Sequence, residues 1–153
     1  MTHSTPSGFH ETARQRPHAH DAMQAEFLAF LRARRTTGLR PGAFVRRSVE
    51  GEMPLIRHGR VVSFADAAEI LTVDFITVVS LFEIKPRIDT VFGVVRQAKA
   101  MLVLARSCIP AHQHYCHLVV PNDDPLLADL KAEWRHVWAW GAAFEPIMET
   151  DDD

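Results

Sequence analysis

Apolar residues first recur at helical spacing at Met23, Phe27, Phe30 and Leu31, which predicts a helix from Asp21 to Arg35. Asp21 suits its N-cap, and Arg32, Arg34 and Arg35 suit the negative end of its dipole. The preceding residues 1–17 mix Ser, Thr, Pro, Gly and His without apolar periodicity and read as a disordered N-terminal arm. Gly38, Pro41 and Gly42 break the pattern, after which Ala43 to Val49 reads as a short strand. Met53 to Arg57 and Arg60 to Leu71 read as two further strands around a tight His58-Gly59 turn. Phe75 to Lys85 is apolar on both faces until Glu83, as a central strand covered from both sides would be, and Pro86 ends it. Val91, Val95, Ala98, Leu102 and Ala105 share one face of a second helix, Asp89 to Arg106, with Asp89 or Thr90 as its cap. A strand (Tyr115 to Val120), a short helix (Asp124 to Lys131) and a last strand (His136 to Trp140) follow, and residues 149–153 form an acidic tail. The order predicts an α/β domain over residues 18–148, with a mixed central sheet flanked by helices.

With 153 residues and 47% hydrophobic content the chain suits one domain rather than two. No run of eighteen apolar residues occurs, so the expectation is a cytoplasmic protein with no membrane partner. Cys108 and Cys116 make no disulfide framework, which agrees with a reducing compartment. The net charge of -2 is unevenly spread: residues 1–60 hold ten Arg and five acids, whereas residues 61–153 hold seven Lys or Arg and fourteen acids. Arg46, Arg47, Arg57 and Arg60, with Arg87 further on, are therefore candidates for a phosphate-binding surface.

Glu83 and Lys85 stand two apart on a strand and leave it on the same face. A charged pair ending a run of Val, Phe, Leu and Ile suits either a strand emerging into solvent or a site that pairs the charges with a metal. A hydrolytic metal site needs a second carboxylate, and Asp66 and Asp74 compete for the place. Pairing Asp74 with Glu83 would put the turn at Val78-Val79, inside a β-branched run. Direct pairing of Asp66 with Glu83 centres the turn on Asp74-Phe75, where Asp is acceptable, and brings both carboxylates to one face.

Asp66, a sixteen-residue gap, Glu83-Ile84-Lys85, Asp89-Thr90 and Gln97 in the next helix together resemble the PD-(D/E)XK nuclease superfamily, from about Asp21 to Pro121. The match is strongest over Phe82 to Met101; Ala65 stands where many members have Pro, and the second helix lacks the aromatic residue many members have at its end. The resemblance implies a restriction-endonuclease-like α-β-β-β-α-β core and a nuclease hydrolysing DNA, most simply an endonuclease in a defence, mobile-element or repair setting. It implies catalytic roles for Asp66, Glu83, Lys85 and Gln97, with Mg2+ (or Mn2+) held by Asp66 and Glu83 and an outer carboxylate from Glu26. It also makes a homodimer reasonable, since cutting both strands with one small domain calls for two sites. The rival expectation is a catalytically silent module of the same fold that binds nucleic acid or assembles into a larger complex.

Three other features carry less. His112, His114, Cys116 and His117 lack a second ligand pair at zinc spacing. Trp134, Trp138 and Trp140, evenly spaced as on one face of a strand, read as core cover or an oligomer surface rather than a base-stacking platform. His3, His10, His18 and His20 fall in or beside the arm and are assigned no role.

Overall fold

The computed structural model describes the backbone of residues 7–141 and 147–148 and the side chains of residues 19–141. Its elements are α1 (Ser7–Ala33), β1 (Val45–Arg57), β2 (Arg60–Val73), β3 (Ile76–Ile84), α2 (Val91–Cys108), β4 (Gln113–Pro121), α3 (Leu127–Glu133), β5 (Val137–Trp140) and β6 (Ile147–Met148). The six strands form one mixed sheet in the order β1-β2-β3-β4-β5-β6. The pairs β1-β2, β2-β3 and β5-β6 are antiparallel; β3-β4 and β4-β5 are parallel. The molecule is thus α/β, as expected. The acidic tail at 149–153 lies outside the described residues.

Alternation along the strands sends side chains into two cores. On one face Val79, Leu81, Cys116, Leu118 and Val120 pack with Val94, Val95, Ala98, Met101 and Ala105 of α2 and with Leu130 of α3. On the other, Ala67, Phe82, Ile84, Val119, Trp138 and Trp140 receive Met23, Phe27 and Leu31 of α1. Trp138 and Trp140 are therefore core residues, whereas Trp134 stands on the opposite side and donates its Nε1-H to the Cys116 carbonyl at 2.9 Å. Thr90 caps α2, its hydroxyl accepting from Gly93 N at 3.0 Å, while Asp89 pairs with Arg87.

Two expectations need correction. Helix α1 begins at Ser7 rather than Asp21, taking in most of the segment 1–17 that was expected to be a disordered arm. Glu11, Ala13, Arg14, Gln15 and Arg16 favour helix without supplying an apolar stripe, and periodicity reads burial rather than propensity. Residues 45–57 are one strand instead of two, because Gly51 is no breaker. A Cβ there would lie 2.7 Å from Leu28 Cδ1, so Gly51 lets α1 settle on the sheet.

Both hairpin turns are two residues long with positive φ at each position, the geometry matched to strand twist. His58 and Gly59 have φ of 54° and 75°, and Asp74 and Phe75 have φ of 50° and 73°. Phe75 occupies a left-handed position that favours glycine, and it is 79% exposed. Phe75→Gly is accordingly expected to raise stability by about 0.5–1 kcal/mol, less whatever the exposed stack with Phe44 contributes. A lower midpoint in urea unfolding would show that the stack outweighs the backbone strain.

Candidate active site

The β2-β3 ladder runs from Val73↔Ile76 to Ala67↔Phe82. Continued by one pair, this register sets Asp66 against Glu83, as the sequence predicts. The strands stop pairing there, and the ladder bond is replaced by a side chain: Ile84 N donates to Asp66 Oδ2 at 2.7 Å. The opposite edge of β2 is irregular at the same level. Gly51 pairs with Ala67 and Met53 with Ala65, while Glu52 between them takes a left-handed φ of 50°. The Asp66 carbonyl accepts instead from the side chain of Gln24, at 2.7 Å. Asp66 thus sits at a local break in the sheet, the kind of irregularity that re-aims side chains beside functional sites.

Helix α1 also brings His20 to this residue, its Nε2 lying 3.1 Å from Asp66 Oδ2, with Nδ1 3.5 Å from Asp21 Oδ1. Burial opposes protonation of the imidazole, but hydrogen bonds and charge from Asp66 and Asp21 outweigh it and leave the His20 pKa raised. Sequence reasoning assigned His20 no role. The signal lay in its spacing: Gln24, Phe27 and Leu31 follow at four, seven and eleven residues, so all four share one face once the helix extends upstream of Asp21.

Glu83 is largely withdrawn from water. Burial, and then the charge of Asp66, push its pKa up to about 7, against the opposing pull of Lys85, a hydrogen bond from the Asp66 backbone and His20. Its Oε2 is buried and has no hydrogen-bond partner among the described residues. Two residues on, Lys85 N donates to Val119 O at 2.9 Å, and Lys85 Nζ donates to Gln97 Oε1 on α2 at 2.5 Å. Asp66, Glu83, Lys85 and Gln97 are therefore drawn together by β2, β3 and α2.

Other expected residues fall elsewhere. Glu26 does not join the carboxylates: its Oε1 accepts from Trp140 Nε1 at 3.5 Å, because it lies on a different face of α1 from His20 and Gln24. Arg47 is engaged with Glu69 and with the Leu31 carbonyl near the end of α1, which gives it a packing role instead of an open one for phosphate. Arg46, Arg57, Arg60 and Arg87 are exposed, the last paired with Asp89 at 2.9 Å.

The donor set decides which cation would suit the site. Among the described residues no group of three His, Cys, Asp or Glu is arranged to hold a metal ion. Two adjoining carboxylates, one with a buried oxygen lacking a donor, fit Mg2+, which takes one or two carboxylates and keeps several waters. No helix of the described residues is long and apolar enough to cross a membrane. Compared with protein-family models, with curated proteins and with solved structures, the chain matches none.

Proposed function

We propose that the chain is a Mg2+-dependent deoxyribonuclease of the PD-(D/E)XK type, with a restriction-endonuclease-like core and a phosphodiester as its substrate. The observation that supports it most is the buried Glu83 oxygen without a donor, beside Asp66, at the point where β2 and β3 part. Asp66 and Glu83 would hold the cation, which when bound lowers the pKa of a water and neutralises charge on the phosphate. Ile84 N and His20 fix the orientation of Asp66, and Gln24 anchors its backbone. Lys85, steadied by Gln97, places an ammonium on the carboxylate side of the strand, where it stabilises negative charge gathering on the phosphoryl oxygens. Arg46 and Arg87, both exposed, are the remaining candidates for contacts to the nucleic-acid backbone, the second of them after release from Asp89.

The test is cleavage of supercoiled, linear, single-stranded and branched DNA by the full chain with Mg2+ or Mn2+, against EDTA. Lys85→Ala is expected to slow cleavage by about a hundredfold. Gln97→Leu, which releases the lysine without removing its charge, is expected to slow it by about tenfold. A chain that binds DNA yet cleaves nothing with either metal is a silent binding module, the rival reading of the same fold.

A further inference from the structure

The strand bearing Asp66 continues beyond the sheet. Strand β3 accompanies β2 only over Ala67–Val73, so the segments 53–57 and 60–66 form a two-stranded ribbon closed by the His58-Gly59 turn. One side is anchored: Leu55 and Ala65 are fully buried in the core shared with α2. Elsewhere the ribbon displays Ile56, Val61, Val62 and Phe64, which are 40% to 57% exposed. Arg57 and Arg60 pair across its tip, both exposed, and no acidic residue occurs between Met53 and Ala65. Large apolar side chains on a cationic, acid-free projection suit a partner that offers anionic edges around an apolar or stackable interior.

We propose that this hairpin enters the major groove of duplex DNA and fixes the distance between the grip and the reacting phosphate. This rests on the nuclease reading of the Asp66 site. A two-stranded ribbon fits a major groove about 12 Å wide, where arginines reach phosphates or guanine edges and apolar side chains meet thymine methyl groups. Arg60 precedes Asp66 by six residues on one strand, which spans about 20 Å, or about six base pairs of rise. The narrow major groove of duplex RNA admits no such ribbon, so the assigned substrate is duplex DNA.

Binding of the full chain to a 30-base-pair DNA duplex, to duplex RNA of the same sequence and to single-stranded DNA, measured in EDTA over a range of salt, separates this assignment from cleavage. Duplex DNA is expected to bind about tenfold more tightly than either rival. The double variant Arg57→Ala, Arg60→Ala is expected to remove that preference and to lower the salt slope by about 2. A second variant, Val62→Ser with Phe64→Ser, is expected to weaken duplex binding with the salt slope intact. Arg106→Ala, exposed in the last turn of α2, serves as control and is expected to change neither. Wild-type affinity and slope in the arginine variant, or equal affinity for duplex RNA, would overturn the hairpin assignment even if the chain cleaves DNA. Hairpin-dependent duplex binding without cleavage in Mg2+ or Mn2+ would leave the groove placement standing and end the nuclease reading, and with it the spacing to a reacting phosphate.

Discussion

Glu83→Gln is expected to abolish metal-dependent cleavage, by about a thousandfold, while making the metal-free protein more stable above neutral pH. The two effects share one cause. Burial, and then the Asp66 charge, hold the folded-state pKa of Glu83 at about 7, against an ordinary value of 4.5 in the unfolded chain. Across that window the folded protein keeps a proton that the unfolded chain has released. The stability from this group is therefore complete below the lower value and is lost as pH rises through the upper one. With allowance for the side chain's partial exposure, the loss amounts to about 2 kcal/mol. Glutamine carries no such proton, so the variant should show no corresponding fall and should exceed the wild type above pH 7. Urea unfolding in EDTA at pH 5 and pH 8 reads this directly. A variant less stable than wild type at pH 8 would mean that the lone oxygen is satisfied in solution. Added Mg2+ should stabilise the wild type by mass action and leave the variant unchanged.

Phe27→Ala is expected to lower stability by about 4 kcal/mol, the largest loss from any single truncation in α1. The ring is fully buried, and its centroid lies 5.0 Å from Phe82, 5.3 Å from both Trp138 and Trp140 and 6.2 Å from Phe30. Removing it empties the centre of the core that fastens α1 to the sheet and forfeits two edge-to-face contacts, with Trp138 and Trp140, at once. Against the 5–15 kcal/mol typical of domains, such a loss is about a quarter or more of the total. Because α1 also supplies His20 and Gln24 to Asp66, the variant should lose cleavage rate under conditions where it remains folded. Chemical denaturation followed by tryptophan fluorescence measures the first effect. A loss below about 1 kcal/mol would show that α1 docks in another way.

Much of this architecture was legible in the chain. The β-branched run ending at Glu83 forced its turn onto Asp74-Phe75, and the observed register runs straight to the Asp66-Glu83 opposition that this turn implies. The apolar stripes named Met23, Phe27 and Leu31 of α1 and Val95, Ala98 and Ala105 of α2, all buried, because burial leaves a period; Val94 and Met101, also buried, were missed, and Phe30, Val91 and Leu102 are only half-buried. What escaped has physical causes. The gap expected between Val49 and Met53 holds Gly51, whose purpose, clearance for Leu28, belongs to another element. His20 and Gln24 are polar residues on an apolar stripe, and their partner, a carboxylate and carbonyl at a gap in the sheet, exists only after the strands have paired. Glu26 carried the expected charge but sits on the wrong turn face of the same helix, a distinction that charge alone does not make.

The two tight turns also set an order of events in time. Strands β1, β2 and β3 form a meander joined by two-residue connections, so their closure costs little chain entropy, whereas β4 must wait for the whole α2 crossover and α1 closes on a residue 42 positions away. The carboxylates of Asp66 and Glu83 are therefore expected to meet early, before α1 and α2 have shielded them from water. In a chevron experiment, substitutions in the meander should slow refolding, and those at Gln24 or Phe27 should chiefly quicken unfolding.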